Sequence, residues 1–497
     1  MPGPRAASGA GGDLHLELAA QGPRRTALAR ALREAVRSGR LRAGARLPPY
    51  RSLAADLGLA RGVVADAYAE LVAEGWFTAR QGSGTRVAEG ALPAPGPAAG
   101  GRNGAAAAGA PAPYDLNQGR PDPAAFPRSA WAAATRRALA SAPVEAFGPG
   151  DPRGRVELRR ALAAYLGRTR GVRTDPEHVV VCSGFAAGLR LLAQVRGAGP
   201  GAGAGDAFRP VGAGGPEGRA RRRAGGGWAV ESYGLPFHHG ILDAAGVRQH
   251  LLPVDADGAR TDLLGAAPAE VRTALLTPAH QFPTGVPLLP ARRVAAVEWA
   301  RARADALLVE DDYDGEFRYD RKPIGSVQGV APDRVAYVGS VSKSMSPAVR
   351  LGWLVLPDAL VEPVLALKGE REQWASVVEQ LALAELMECG AYDRHVRRTR
   401  QRYRERRERL AAALPVSGVA AGLHAVLELG PGREAPALAA ARTVGLSLDG
   451  LSEYRHRAAG GEHPVREGLV IGYAGLGDHA FDRALDLLTR VARPFLG

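Results

Sequence analysis

The sequence has little lysine, little cysteine and no long apolar run. Only three of its 64 basic residues are lysines, namely Lys322, Lys343 and Lys368. Its two cysteines, Cys182 and Cys389, are too few for a disulfide framework. No apolar stretch approaches the roughly 18 residues of a membrane helix, and no apolar export signal is recognisable. These absences predict a cytoplasmic protein without membrane contact.

Basic charge is in excess, with a net charge of +13 over 497 residues. Residues 1–90 contain thirteen arginines and eight acidic residues, a surplus of five. Nine more arginines lie between Arg394 and Arg409, where Val396, Tyr403 and Leu410 recur every seven residues. One apolar stripe surrounded by charge is typical of a surface helix. For that stretch we favour a solvated face over a DNA contact.

Composition divides the chain into three segments. Residues 14–88 are compactly patterned, whereas residues 89–113 are almost entirely Ala, Gly and Pro, which predicts a flexible linker. Residues 114–497 alternate strand-like and helix-like runs, as in an α/β domain with a mainly parallel sheet. Within them, residues 196–227 contain twelve glycines and interrupt the alternation, which predicts a disordered insertion.

The first segment has the pattern of a winged helix-turn-helix, an α+β unit. Apolar periodicity predicts a helix over Thr26–Ser38, a short helix within Leu47–Gly58 and a third helix over Ala60–Glu74. Two helices joined by a short glycine-containing turn form a helix-turn-helix. The alternating runs Trp76–Arg80 and Thr85–Ala88 then predict a hairpin wing.

Three motifs carry a family resemblance. Leu47-Pro48-Pro49, the run Ala67–Leu71 and the run Arg80–Thr85 together resemble a GntR-type winged helix. Such modules place the second helix of the pair in the major groove of double-stranded DNA. One departure is that Tyr50 and Ala60 stand where this family often has a serine cap. The resemblance implies base contacts by Arg61, Gly62 and Val63, and phosphate or minor-groove contacts by Arg51, Arg80, Gly82 and Ser83.

In the second segment four apolar runs each lead into a polar loop. They are Val179–Val181, Ala274–Leu276, Leu307–Val309 and Val335–Val338. Ligands of open α/β sheets bind at the carboxyl ends of the strands. The four loops are therefore predicted to converge on one site.

The residues in these loops suit pyridoxal 5'-phosphate (PLP). Lys343 lies in a hydroxyl-rich turn after a strand, which suits a Schiff base beside a phosphate. Asp311 and Tyr313 share one face of their strand and could serve the ring nitrogen and the ring O3'. A phosphate requires N–H groups at a helix start, hydroxyls and an arginine. The predicted phosphate-binding residues are Ser183, Gly184, Phe185, Ser340, Ser342 and Arg350.

The second segment resembles the fold-type I aminotransferases. The markers are Gly150–Gly154, Pro283–Gly285, Glu310–Tyr313, Ser340–Lys343 and Arg350–Trp353. Joined to the first segment, the chain resembles the MocR/GabR-type regulators. That resemblance implies a homodimer and an α/β PLP-dependent transferase fold with a smaller C-terminal subdomain.

The same resemblance assigns roles to individual residues. It implies that Lys343 carries PLP as an internal aldimine, that Asp311 pairs with the ring nitrogen and that Tyr313 bonds O3'. Tyr233 is either a ring-stacking residue or a core aromatic. His280 is interpreted as a structural loop histidine. His238 and its neighbour have no third ligand at metal spacing, so no metal is expected.

Departures from the aminotransferase pattern bear on activity. Phe282 replaces an asparagine, Pro149 replaces a tyrosine, and Val470 stands where an arginine would hold a substrate carboxylate. Arg466 is near that position but out of register. The sequence therefore predicts a PLP-binding transcription regulator with weak or no transaminase turnover, which senses an amine or PLP through the Lys343 aldimine. Two alternatives remain open: a working aminotransferase with an accessory winged helix, and a DNA-binding protein with a dead pocket.

Overall fold

A computed structural model describes most of the chain. The described residues are 23–37, 40–80, 84–88, 112–197, 226–319, 324–369, 375–461, 463 and 465–496. The chain divides into two compact units, residues 1–109 and 110–497, here called the head and the body. Among the described residues, no helix is long and apolar enough to cross a membrane.

The described part of the head consists of three helices and a hairpin. They are α1 (Arg24–Arg37), α2 (Tyr50–Asp56), α3 (Arg61–Ala73), β1 (Phe77–Arg80) and β2 (Gly84–Val87). The two strands pair antiparallel, as expected of a wing. The apolar stripes predicted from the sequence meet in one core, because the three helices and the wing each contribute buried side chains to it. The core includes Leu28, Leu32, Leu53, Val64, Leu71 and Phe77.

Helices α2 and α3 begin without a side-chain cap. Their N-cap residues are Pro49 and Ala60, and neither side chain accepts a hydrogen bond from a backbone N–H of the helix. Tyr50 is thus the first helical residue and not a cap. Because the first N–H groups of a helix have no acceptor within it, both helix starts keep donors available for another acceptor.

The body is an α/β unit with many short connections. Its described helices are α4 (Arg128–Ser141), α5 (Val156–Arg170), α6 (Phe185–Gly197), α7 (Pro236–Ala244), α8 (Pro290–Ala302), α9 (Asp358–Lys368), α10 (Val377–Glu388), α11 (Ala391–Ala413), α12 (Glu434–Thr443) and α13 (Asp478–Ala492). Its described strands are β3 (Tyr114–Asp115), β4 (Val179–Cys182), β5 (Gly227–Glu231), β6 (Arg248–Leu252), β7 (Val254–Asp255), β8 (Gly258–Ala259), β9 (Val271–Leu276), β10 (Leu307–Asp311), β11 (Val335–Ser340), β12 (Gly352–Val355), β13 (His424–Leu429), β14 (Leu446–Ser447), β15 (Asp449–Gly450) and β16 (Glu467–Gly472).

Seven of these strands form the central sheet, in the order β4-β12-β11-β10-β9-β5-β6. Strand β12 pairs antiparallel with both of its neighbours, and the other pairs are parallel. The sheet is mainly parallel, as predicted. Strands β4, β5, β9, β10 and β11 therefore end at the same edge, and their loops converge there.

A smaller C-terminal subdomain contains the antiparallel sheet β13-β16-β15. Helices α12 and α13 pack on it through an apolar core that includes Leu427, Leu469, Ile471, Phe481 and Leu485. The predicted smaller subdomain is thus present in the body.

The arginine-rich helix α11 differs from the solvated face expected of it. Arg406 and Arg407 are buried, and Arg406 Nη1 donates to the carbonyls of Tyr473 and Ala474 at 3.1 Å each. A guanidinium has several donors in one plane and can bind several carbonyls at a chain turn. The expectation of a solvated face was wrong for these two residues, which donate to backbone carbonyls of residues 417–418 and 473–474.

The predicted insertion at residues 196–227 is structured at its ends. Arg196 and Gly197 close α6, and Gly227 opens β5. Residues 198–225 lie outside the described residues, as do residues 89–111 of the predicted linker.

Candidate functional site

A cavity of about 250 Å³ lies where the loops after the central strands converge. Its lining contains all ten residues that the sequence suggested for the cofactor. These are Ser183, Gly184, Phe185, Tyr233, Asp311, Tyr313, Ser340, Ser342, Lys343 and Arg350. The structure brings the residues together, and their individual roles remain predictions.

Lys343 follows β11 and opens onto the cavity. Its Nζ donates a hydrogen bond to the carbonyl of Gly119 at 2.6 Å. Burial lowers the pKa of Lys343, and the nearby carboxylates of Asp314 and Asp311 oppose that shift. A lowered pKa leaves more of the amine neutral, which is the form that attacks a carbonyl.

Asp311 ends β10 and is buried at the floor of the cavity. Its Oδ1 has no hydrogen-bond partner among the described residues. Burial raises the pKa of Asp311 well above its usual range, and the charge of Asp312 adds to the effect. A buried carboxylate oxygen without a donor is costly, so this atom suits a ligand that brings an N–H or a positive charge. A protonated pyridine nitrogen is such a group.

The opposite face of β10 serves the fold, as the alternation of side chains predicts. Asp312 accepts from Arg170 at 2.6 and 3.0 Å and from the Tyr337 hydroxyl at 2.7 Å. Glu310 accepts from the backbone N–H groups of Val327 and the next residue. These bonds fix the strand that presents Asp311 to the cavity.

The turn between β4 and α6 depends on two glycines. Gly184 has φ 117°, and a Cβ placed on Gly352 would lie 2.6 Å from the Gly184 Cα. A side chain on Gly352 would force the turn away from β12, and a side chain on Gly184 would strain its backbone at this φ. The close approach places the start of α6, with its free N–H donors, at the cavity wall. Arg350 reaches the same wall from a backbone with φ 56°.

Tyr313 has polar partners that sequence reasoning did not identify. Its hydroxyl lies 3.0 Å from His280 Nδ1, and that nitrogen lies 2.8 Å from Asp314 Oδ2. The sequence predicts only a structural role for His280 and no role for Asp314. The only clue in the sequence is that both lie in loops that follow central strands.

Glu231 at the end of β5 was also missed. It accepts from the Thr277 hydroxyl at 2.6 Å and from Gln281 Nε2 at 3.1 Å. Burial raises the pKa of Glu231 to about 7. The cavity lining thus contains, besides Asp311, a second carboxyl whose pKa is raised by burial.

Tyr233 lies in an apolar cluster that includes Phe282 and Val470. Its hydroxyl accepts from the backbone N–H of Arg466 at 2.8 Å. The guanidinium of Arg466 instead pairs with Glu428 at 2.6 Å. Position 470 has no guanidinium, and the guanidinium of Arg466 is paired with Glu428. Neither position therefore offers a guanidinium to the cavity.

His238 contributes a neutral imidazole to the cavity wall. Its ring lies 4.5 Å from that of Phe185, and burial lowers the pKa of His238 to about 3. In the part of the chain that the structure describes, no group of three or more His, Cys, Asp or Glu could hold a metal ion.

On the head, the structure fully describes four of the seven residues predicted to contact DNA. Arg51, Arg61 and Gly62 are exposed and Val63 is partly buried, all in the first turn of α2 or α3. Arg80 ends β1, but its side chain is outside the described residues, as are Gly82 and Ser83.

Comparison with known proteins identifies both units. Residues 24–87 match the model of bacterial regulatory proteins of the gntR family, and residues 114–204 and 230–432 match aminotransferase class I and II. The HTH-type pyridoxine biosynthesis transcriptional regulator PdxR of Corynebacterium glutamicum is 33% identical over 411 residues, covering 81% of this chain and 82% of that protein. The probable rhizopine catabolism regulatory protein MocR of Rhizobium meliloti is 30% identical over 474 residues, covering 90% and 89%.

The chain belongs to the MocR-type transcriptional regulators. Its body has the fold of the Pyrococcus horikoshii kynurenine aminotransferase, with a TM-score of 0.64, 21% identity and coverage of 77% of this chain and 91% of that one. As a MocR-type regulator it binds DNA through the GntR head. Its aminotransferase class I and II body indicates PLP as the cofactor.

Proposed function

We propose that this MocR-type chain is a cytoplasmic regulator that binds an operator as a homodimer and changes its operator affinity when PLP or an amine occupies the Lys343 cavity. The observation that carries the proposal is that Asp311 Oδ1, in the same cavity as Lys343, has no hydrogen-bond partner among the residues that the structure describes. Because the same chain carries a DNA-binding head, a ligand bound in this cavity could change operator affinity.

The residues present fit the cofactor. When bound, PLP supplies an aldehyde that bonds to amines and a ring that withdraws electrons. Asp311 would accept the N–H of the ring, and Tyr313 would donate to the ring oxygen. The phosphate would be held by the N–H groups at the start of α6 and by the other predicted residues, namely Ser183, Gly184, Phe185, Ser340, Ser342 and Arg350.

Lys343 is suited to reversible attachment. Its lowered pKa favours the neutral amine, and its bond to the Gly119 carbonyl orients Nζ toward the cavity. An incoming amine can compete with Lys343 for the same aldehyde carbon. Attachment to the cofactor would take Nζ away from the Gly119 carbonyl, and release of the amine would restore that bond, so effector binding would be felt in the loop after β3.

The cavity supports sensing better than turnover. Val470 is fully buried among apolar side chains, and Arg466 is engaged by Glu428. A guanidinium clamp on a substrate carboxylate would make charged hydrogen bonds worth about 1.5–3 kcal/mol each. Without it at this position, we expect weak transamination of α-amino acids at most.

PLP itself is one candidate effector. The Corynebacterium relative is named as a regulator of pyridoxine biosynthesis. In a regulator of that kind, PLP can be the effector itself, because occupancy of the cofactor site follows the PLP concentration.

The test is to saturate the purified protein with PLP, reduce it with borohydride and locate the pyridoxyl group by mass spectrometry. We expect visible absorbance before reduction and a pyridoxyl group on Lys343 after it, with neither in Lys343→Ala. When the PLP-loaded protein is titrated with a panel of amines, the visible absorbance should change only with an amine that acts as the effector. A wild-type protein with no adduct at Lys343 would contradict the proposal.

A further inference from the structure

The support of the Tyr313 hydroxyl comes from a buried pair, His280 and Asp314. Both side chains are 2% exposed, and His280 Nδ1 lies 2.8 Å from Asp314 Oδ2. The Tyr313 hydroxyl lies 3.0 Å from the same nitrogen. Phe282, whose ring lies edge-on to Tyr313, has no polar side-chain atom to offer.

The contact with Asp314 decides which groups donate. An ionised carboxylate only accepts, so His280 Nδ1 must carry the hydrogen in this contact. That nitrogen then has no lone pair for the Tyr313 hydroxyl, whose oxygen can share the N–H only as an acceptor. The hydroxyl hydrogen of Tyr313 is left for Asp314 or for an acceptor in the cavity.

Removing His280 would change this choice. Asp314 also reaches the Tyr313 hydroxyl, and its charge is among the causes that raise the pKa of Tyr313, after burial. With no imidazole N–H to accept from, Asp314 would compete more strongly for the hydroxyl hydrogen. Tyr313 would then donate to Asp314 and not into the cavity.

The pair is tightly enclosed by the C-terminal subdomain. A Cβ on Gly422 would lie 2.4 Å from Asp314 Oδ2 and 2.4 Å from His280 Cε1. The Gly422 carbonyl accepts from the Tyr473 hydroxyl at 2.8 Å, which holds this approach in place. The ring of His424 lies 5.2 Å from that of His280. The enclosure leaves His280 little freedom to turn away from Asp314.

We propose that His280, through its Nδ1 hydrogen bond to Asp314, is a positioning residue that keeps the Tyr313 hydroxyl directed into the cavity. The inference rests on the proposed function, since it assumes a cofactor oxygen as the acceptor. His280 touches Tyr313 and Asp314 and acts on a bound ligand only through them.

Several charged or titratable groups surround Tyr313, Lys343 and His280, and they also affect how PLP absorbance depends on pH. Asp314, Asp311 and Glu231 act on Tyr313. Asp314, Asp311 and Arg120 act on Lys343. His424 faces His280, and burial lowers the pKa of His424 to about 3, so it stays neutral near pH 7.

The experiment compares PLP binding by the full chain in His280→Asn, His280→Gln, His280→Leu and Tyr313→Phe. Asparagine places its amide N–H near the position of Nδ1, whereas glutamine reaches the position of Nε2. The readouts are the PLP dissociation constant and the pH midpoint of the visible absorbance. Circular dichroism confirms folding, and the His280→Leu/Tyr313→Phe double variant completes a cycle.

We expect His280→Leu and His280→Gln to weaken PLP binding about tenfold, the size of one lost hydrogen bond. Both should shift the pH midpoint in the same direction as Tyr313→Phe. His280→Asn should stay within about twofold of wild type, and the double variant should be no weaker than Tyr313→Phe alone.

Two results would overturn the inference. One is a His280→Gln protein that binds PLP with wild-type affinity and midpoint. The other is a loss on His280→Leu that is equally large in the Tyr313→Phe background, since His280 would then act independently of Tyr313. Failure of the wild-type protein to bind PLP would refute the proposed function, and the inference with it, and would be visible before any variant is made.

Discussion

The head and the body differ in the burial and the partners of their key arginines. In the head, Arg51 and Arg61 are exposed at the starts of α2 and α3, and neither has a hydrogen-bond or ion-pair partner among the described residues. In the body, Arg170 and Arg406 are buried and donate to carboxylates and carbonyls. The net charge of +13 is therefore not one nucleic-acid footprint. Arg51 and Arg61, at the helix starts of the head, are free to meet phosphate or base edges.

Removing a buried arginine of the body should have the largest effect. Arg170→Met leaves Asp312 buried without its cation, so we expect the body to lose about 3–5 kcal/mol of unfolding free energy. Arg61→Met in the head should change stability by no more than about 0.5 kcal/mol. Denaturant unfolding followed by circular dichroism measures both, and equal losses would break the contrast.

Ionisation of Glu231 should lower the unfolding free energy of the body as the pH rises. Burial raises its pKa from 4.5 to about 7, so its contribution is fully present below pH 4.5 and is lost as the pH rises through 7. The shift corresponds to about 3 kcal/mol of unfolding free energy. In PLP-free protein, Glu231→Gln should remove most of this decline between pH 5 and pH 8. A variant with the same pH dependence as wild type would contradict the assignment.

Removing an exposed arginine of the head should affect DNA and not stability. If Arg61 reads a base edge, Arg61→Ala should cost about 1–3 kcal/mol of affinity for a DNA fragment selected by the wild-type protein. Arg136→Ala, an exposed arginine on α4 of the body, is the matched control. Fluorescence anisotropy at fixed salt measures both, and equal affinities for the two variants would remove Arg61 from the interface.

The smallest effect concerns the uncapped helix α3. Ala60→Ser adds a hydroxyl that can accept from the helix start, and we expect the head to gain up to about 1 kcal/mol. Ala69→Ser, in the exposed middle of the same helix, should cost a few tenths instead. The two melting curves of the head are compared directly. No gain from Ala60→Ser would mean that the helix start is already satisfied by another acceptor.

Much of the fold followed from short-range pattern. Apolar periodicity predicted the three helices of the head within a few residues of their bounds. Runs of apolar residues predicted β4, β9, β10 and β11, and strand alternation predicted that Asp311 and Tyr313 share one face. These features depend on neighbours close in sequence, which is why periodicity could find them.

Contacts between distant segments could not be predicted. The pair of His280 and Asp314 joins two loops, and the Gly119 carbonyl that binds Lys343 lies 224 residues away from it. The burial of Arg406 depends on a chain turn after β16. Each of these requires the packing of the whole body, and no local spacing in the sequence marks it.

The most direct test of the account is operator affinity measured with and without PLP, for wild type and for Lys343→Ala. We predict that PLP changes the affinity of the wild-type protein by about 5–150-fold, as a coupling of about 1–3 kcal/mol gives, and leaves Lys343→Ala unchanged. Identical affinity in all four measurements, with PLP bound to the wild-type protein, would contradict the claim that the cavity controls the head.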